Sequence, residues 1–364
     1  MDTLDTLSTI EEKLCYKASL KKIPLSGGIE LLPLCNMNCN MCYIKLTKEE
    51  MKLTGKVKEP KEWLSLAKNM KESGTLFLLL TGGEPFLYKG FEELYLGLKE
   101  MGFIITINTN GTLINDKIAN MLKKYKPRRV NVTLYGASNE TYNRLCNNPN
   151  GFDETIRGIK LLIERGIDVK LNISLVMENK DDLPEMLKTA HELGIHVEVD
   201  TYMYPVTKGI KNNFNKECRI NPKEVAHIET YVKYNTETEE NFMKNREDFL
   251  NLYEYTKNCE PDKILKMKCR AGKSSFWIDW KGHMYPCVFM EKRNMDVFQQ
   301  GFKKSWNYVV NVCENISLPK GCANCDKRGI CQVCAACVYC ENKNFDEVPK
   351  YLCEMTKEFI DILK

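Results

Sequence analysis

The chain has no apolar run long enough to cross a bilayer: Leu76–Leu80 is typical of its longest, and a span needs about 20 apolar residues. Its first residues, MDTLDTLSTIEEK, are acidic and polar, so no export signal opens it. Charge of one sign is also missing. With 53 Lys and Arg against 49 Asp and Glu, the 364 residues carry a net +4 in mixed-sign segments. Neither nucleic acid nor an anionic membrane surface is therefore an expected partner. No internal repeat or low-complexity tract stands out. What remains is a cytoplasmic globular chain, long enough for two domains or for one large domain with an appendage.

What is abundant is cysteine. There are 17, of which ten lie between Cys269 and Cys353 and three form a group at Cys35, Cys39 and Cys42. Without an export signal a disulfide framework is not expected, and metal or redox chemistry is. The scattered Cys15, Cys146, Cys218 and Cys259 read as small buried hydrophobes.

From residue 28 short β-rich runs alternate with amphipathic helical stretches. The expected strands are Gly28–Leu34, Leu76–Thr81, Phe103–Asn108, Val130–Tyr135, Val169–Val176 and Val197–Thr201. The expected helices are Lys58–Ser73, Gly90–Met101, Asp116–Lys124, Asp153–Arg165 and Asp181–Leu193. Several stop at a glycine (Gly74, Gly102, Gly166, Gly194), as helix C-termini do. The alternation implies an α/β fold of six parallel βα units, whose chemistry gathers at the carboxyl ends of the strands. After Pro205 it stops. Residues 206–222 read as a polar connector and 223–258 as helical and charged. Ser275–Phe289 reads as a hairpin turning at Lys281–Gly282. Cys313–Cys340 looks too poor in apolar residues to fold without metal, and Asp346–Lys364 reads as a closing helix. The expected organisation is a segment 1–27, a barrel unit 28–205, bridging helices 206–262 and a cysteine-rich unit 263–364.

The first cysteine group is C-x3-C-x2-C, directly after the first strand. Three thiolates on one loop hold three irons of a [4Fe–4S] cube and leave the fourth open to a ligand. A structural zinc site wants four ligands, and no fourth Cys or His lies nearby. The next strand ends in Gly82-Gly83-Glu84-Pro85, where two glycines allow close backbone approach and a carboxylate can meet an ammonium group.

Cys35/Cys39/Cys42 followed by Gly82-Gly83-Glu84-Pro85 resembles the radical S-adenosylmethionine (SAM) enzymes. The resemblance implies a partial (β/α)6 TIM-like barrel and a [4Fe–4S] cluster whose open iron chelates SAM. It also implies that Gly82, Gly83, Glu84 and Pro85 contact the methionine amino group, and that an electron donor such as flavodoxin or ferredoxin serves the cluster. Met41 stands where an aromatic residue is usual. By the same resemblance Asn108, Asn110, Thr133 and Arg144 contact the ribose or carboxylate of SAM, against the plainer reading of turn residues and a solvated arginine. Tyr202 and Tyr204 follow the sixth strand and face either substrate or the connector.

From Cys269 the spacing runs x12 to Gly282 and x4 to Cys287, then Cys322-x2-Cys325-x5-Cys331-x2-Cys334, then Cys353. This resembles the C-terminal SPASM domain of radical SAM enzymes, which binds one or two auxiliary [4Fe–4S] clusters, although x3 is usual before the last cysteine of the middle set. Zinc is the competing occupant. The resemblance groups Cys322, Cys325, Cys331 and Cys353 at one cluster and Cys269, Cys287 and Cys334 at another. No cysteine follows shortly after Cys269, where Lys273-Ser274-Ser275 stands, so the second site is either open or closed by Cys337 or Cys340.

Three reaction classes follow. Sulfatase-maturing relatives place an Asp base where this chain has Val288, which argues against that chemistry. The segments 134–138 and 331–336 resemble enzymes that mature ribosomal peptides through thioether or carbon–carbon crosslinks or epimerisation; an epimerase would draw its hydrogen donor from Cys218, Cys337 or Cys340. Small-molecule dehydrogenation is the third class, and an iron–sulfur or zinc scaffold is the non-enzyme alternative. The favoured expectation is a peptide substrate. Only 34 residues precede Cys35, so a separate leader-recognition protein or the barrel itself is expected to grip a leader.

Overall fold

A computed structural model of the chain describes residues 9–205, 218–261 and 264–364. Six parallel strands run β1 Ser26–Glu30, β2 Phe77–Thr81, β3 Ile104–Thr109, β4 Arg129–Leu134, β5 Val169–Ser174 and β6 His196–Asp200. They lie side by side in chain order with β6 at one edge, so the arc is an open barrel. Strict alternation gives each central strand two faces. Ile105, Ile107, Val130, Val132, Leu171 and Ile173 are completely buried, against the apolar stripes of the crossover helices such as Ile159 and Leu162 of Gly151–Glu164. Thr106, Asn108, Asn131, Thr133 and Asn172 share the other face, which is half-buried and polar. Gly166 and Gly194 take the left-handed conformation predicted for helix stops (φ 63° and 64°).

The sheet does not end at β1. The expected hairpin forms from β7 Ser275–Ile278 and β8 His283–Tyr285, and β7 pairs in parallel with β1. A short β9, Met295–Asp296, completes nine strands in the order β6-β5-β4-β3-β2-β1-β7-β8-β9. The Gly27-Gly28 pair makes this join possible: a Cβ at either position would stand 2.3 Å from the ring of Phe276 or Trp277. Trp277 Nε1 also donates to the buried Glu30 (2.8 Å). A helix Ile10–Lys21, not anticipated from sequence, braces the join, with Ser19 Oγ against Ser274 Oγ (2.8 Å) and Lys22 O accepting from Trp306 Nε1 (2.7 Å).

Helices Pro222–Thr236, Glu239–Lys257 and Lys350–Leu363 pack together through Ala226, Phe249, Phe359 and Leu363. Most of the expected connector, 206–217, lies outside the described residues. Cys313–Cys340 is less poor in core than its composition suggests. Ile316, Leu318, Cys322 and Ala323 are buried, and Ala335–Asn342 is a helix whose residues 335–340 are all buried. Small side chains, Ala and Cys, let that helix sit inside the fold with little apolar bulk. No helix among the described residues is long and apolar enough to cross a membrane.

Candidate active site and metal centres

The loop after β1 carries Cys35, Cys39 and Cys42. Met37 and Met41 anchor it, buried at 1% and 5% exposure; Met41, in the usual aromatic position, is a core residue. Asn38 N and Asn40 N donate to Cys146 O and Leu145 O at the end of helix Asn139–Cys146 (2.8 and 2.9 Å). Donors point at the thiols: Met37 N and Asn110 Nδ2 toward Cys35 Sγ (3.4 and 3.6 Å), and Lys45 N toward Cys42 Sγ (3.3 Å). Burial, reinforced by Glu84, Cys39 and Cys42 and eased by the Met37 N–H, pushes the Cys35 thiol up to about 12. Burial also raises Cys42. Cys39 is raised first by its hydrogen bond with Cys146 and then by burial. That contact gives Cys146 a place beside the site that its isolated position in sequence did not suggest. Among the described residues no three Cys, His, Asp or Glu side chains already close on a single metal ion. The donor set and the N–H groups aimed at its sulfurs suit a thiolate-bound cluster.

Glu84 stands at the mouth of β2, fully buried. Thr109 Oγ1 donates to it (2.8 Å), as do Asn110 N (2.9 Å) and Phe86 N (3.1 Å). Burial outweighs these bonds and carries its carboxyl to about 7. Gly83 N and Glu84 N donate to Leu32 O and Leu34 O (2.8 and 2.9 Å), zipping this segment to the root of the cysteine loop. The glycines are required by contact, because a Cβ would meet Leu32 O at 2.6 Å from Gly82 and Leu34 O at 2.2 Å from Gly83. Pro85 opens a single 3₁₀ turn beneath Glu84.

Asn110 bridges the two parts, since its amide also reaches Asn36 Oδ1 (3.0 Å). Asn108 and Thr133 lie on the polar face of the arc, where Asn131 Nδ2 donates to Asn108 Oδ1 (2.8 Å). Asn131 Oδ1 and Asn172 Oδ1 are buried acceptors without a hydrogen-bond partner, a state that a polar ligand would relieve. Sequence reasoning passed over both, although a polar residue at an inward strand position was the available signal. Arg144 sits on the helix that holds the cysteine loop, half-exposed, donating to Glu178 O (2.8 Å).

An aromatic series runs from this loop to the extension. Tyr43 meets Phe289 (5.7 Å between centroids), Phe289 stacks on Tyr204 (4.2 Å, 11°) and Tyr204 meets Tyr202 edge-on (4.8 Å). Tyr202 and Tyr204 line a cavity of about 350 Å³ with Thr201, Gln332, Cys337 and Leu352, at the seam between β6 and the cysteine-rich region. Neither Glu84 nor the first cysteine loop lines it. Cys337 Sγ donates to Tyr202 OH (3.0 Å), and Tyr202 OH to Glu341 Oε1 (2.6 Å). Arg219 holds Glu341 (2.7 Å). Of the three thiols singled out as hydrogen donors, Cys337 lines this cavity. Cys218 is buried with its carbonyl accepting from Met177 N (2.8 Å), and Cys340 Sγ faces Phe289 O (3.7 Å).

In the extension Cys322 is raised to about 12 by burial and then by Cys353, Cys331 and Cys325, so these four form one neighbourhood. Lys327 N points at Cys325 Sγ (3.4 Å) and Thr356 Oγ1 at Cys331 Sγ (3.5 Å). Cys334 Sγ lies 3.7 Å from Tyr204 OH. Cys287 influences Cys340, Tyr204 and Tyr43, placing it between the two cysteine regions. Cys269 is exposed.

Residues 29–190 match the Radical SAM superfamily. They form a radical SAM domain. The probable GTP 3',8-cyclase of Saccharolobus islandicus (strain M.14.25 / Kamchatka #1) is 31% identical over 183 residues, 50% of this chain and 58% of that protein. The chain thus spans little more than half the length of these curated relatives. The AdoMet-dependent heme synthase of Methanosarcina barkeri (strain Fusaro / DSM 804) is 21% identical over 340 residues, 88% of this chain and 94% of that one. Among solved structures, Streptococcus suis SuiB bound to precursor peptide SuiA superposes with TM-score 0.68 at 18% identity over 95% of this chain and 82% of that one. anSMEcpe with bound AdoMet and Kp18Cys peptide gives 0.67 at 19% over 93% and 96%. At such identities the likeness is one of fold, and it extends past residue 190 through the cysteine-rich extension. The family match covers the barrel, residues 29–190.

Proposed function

We propose that this chain is a radical SAM enzyme, with a [4Fe–4S] cluster, SAM and auxiliary clusters in its extension, that abstracts hydrogen from a peptide residue and returns hydrogen on the other face, an epimerisation. The observation that carries the reading is the cavity at the seam, lined by Tyr202 and Tyr204 after β6 and by Cys337 from the extension. Two solved structures of similar fold carry peptides, SuiA in SuiB and Kp18Cys in anSMEcpe. In this reading Cys35, Cys39 and Cys42 hold the SAM-binding cluster, Cys322, Cys325, Cys331 and Cys353 hold one auxiliary cluster, and Cys269, Cys287 and Cys334 contribute to a second. When bound, cluster and SAM together supply a 5′-deoxyadenosyl radical. Glu84 accepts from the methionine ammonium while the Gly82–Gly83 backbone lets SAM approach. In the same reading Asn108, Asn110, Thr133 and Arg144 contact its ribose and carboxylate, and Asn172 offers a further acceptor. Burial, with the charges of Cys334, Glu341 and Cys340, keeps Cys337 as a thiol against the opposing pull of the Tyr202 hydroxyl, and the thiol is the form that can donate a hydrogen atom. The thiyl radical left on Cys337 takes an electron from a flavodoxin- or ferredoxin-type donor and a proton from solvent.

The test is anaerobic incubation of the reconstituted enzyme with SAM, dithionite and a randomised peptide library in D2O. Expected are 5′-deoxyadenosine and peptides carrying one solvent deuterium. Cys337→Ala should keep the first and lose the second. No 5′-deoxyadenosine from iron-loaded enzyme would sink the radical reading, and deuterium-free peptides with new crosslinks would replace epimerisation by bond formation.

A further inference from the structure

Cys269 and Cys287 flank the hairpin β7–β8, yet the loop from Cys269 to β7 holds no second cysteine. A thiol from elsewhere lies against that loop. Cys313, in the last turn of helix Phe302–Glu314, is buried at 7% exposure. A Cβ on Gly272 would stand 2.5 Å from Cys313 Sγ and 2.7 Å from its Cβ. Gly272 also has φ 66°, so the loop folds over the sulfur only because it has a glycine there. Burial first, then the charges of Cys269 and Cys287, push the Cys313 thiol up to about 12, while Lys22 and Lys273 pull it down.

We propose that Cys313 is the fourth thiolate ligand of the auxiliary cluster held by Cys269, Cys287 and Cys334. The inference rests on the reading of the extension as a cluster-binding module. A buried cysteine serving only as a small hydrophobe does not account for the surroundings. Cys313 lines a cavity of about 210 Å³ whose wall includes Lys22, Lys266 and Lys273. A cube with four thiolates carries net negative charge, which Lys266 and Lys273 on the cavity wall offset, Lys22 being paired with Glu314 (3.3 Å) on the same wall, and the thiol proton passes to solvent on ligation. The rivals lie on the far side of the site from Cys269: Cys334 influences both and Cys287 influences Cys340, but Cys269 is not among the charges acting on either, whereas it acts on Cys313. Their thiols also have partners, Cys337 Sγ donating to Tyr202 OH (3.0 Å) and Cys340 Sγ to Phe289 O (3.7 Å).

The experiment uses the full chain in a Cys35/Cys39/Cys42→Ala background, reconstituted anaerobically, with iron per chain, EPR and far-UV circular dichroism as readouts. Two auxiliary cubes give about 8 irons. Adding Cys313→Ala should remove at least one iron and produce a [3Fe–4S] signal on oxidation, whereas Cys337→Ala and Cys340→Ala keep both. In the wild type, Cys313 should resist alkylation until a chelator strips the iron, a readout that does not depend on any variant folding. Full iron and an unchanged spectrum in Cys313→Ala, or alkylation of Cys313 in the loaded protein, overturns the assignment. A background that holds no iron overturns the cluster-binding reading of the extension as well, a result distinguishable from the first.

Discussion

Glu84 is a fully buried carboxyl with three donors around it, and its pKa near 7 means the folded chain keeps a proton that the unfolded chain has lost. The folded state therefore loses stability as pH rises from the unfolded value through about 7, by roughly 3 kcal/mol at most. In the SAM-free protein, Glu84→Gln should be more stable than wild type at pH 8, with the gain gone at pH 4.5; denaturant midpoints at both pH values measure it, and a pH-independent difference would contradict the account. Gly83→Ala tests the neighbouring contact. With Leu34 O at 2.2 Å from the new Cβ, backbone must shift, at a cost of about 2 kcal/mol or more, and SAM binding followed by calorimetry should weaken along with the melting temperature. Glu84 and its glycines were legible in the sequence because they form one contiguous motif. Cys146, Asn172 and Cys313 were not, because each acquires its meaning from a residue far away in the chain: Cys39, the unpaired polar face, or Gly272.

At the scale of elements, β1 is the hinge of the fold. Its Ser-Gly-Gly start looks weak for a strand, and the reason is external, since Phe276 and Trp277 occupy the space that side chains would fill. Trp277→Phe keeps an aromatic ring, though a smaller one, and deletes the bond to Glu30 (2.8 Å). We expect a loss of about 1–3 kcal/mol, read from urea unfolding, with the secondary structure intact by circular dichroism. The six strands and the hairpin could be read from apolar runs and turn residues. The helices Ile10–Lys21, Lys48–Thr54 and Asn139–Cys146 escaped because they are short or bury little. The first buries only Cys15 and Ala18, and the second nothing. Their start signals were nonetheless present: Thr9 with Glu12 and Thr47 with Glu50 form capping boxes.

For the whole molecule, the barrel and the cysteine-rich extension share one sheet, which composition alone did not reveal because parallel pairing of β1 with β7 joins residues about 250 positions apart in sequence. A chain ending at residue 205 would leave both edges of the arc open, β1 as well as β6. It should associate or precipitate where the full chain stays dispersed, as size-exclusion chromatography would show; a monodisperse fragment would mean that β7 is dispensable. The cysteine loop is fastened differently from a metal-nucleated finger. Two buried methionines and two backbone bonds to helix Asn139–Cys146 hold its course. Such a protein can be synthesised and folded first and furnished with iron afterwards. If oxygen destroys the cluster, what is left is an empty but intact vessel, open to repair by a second filling rather than to disposal.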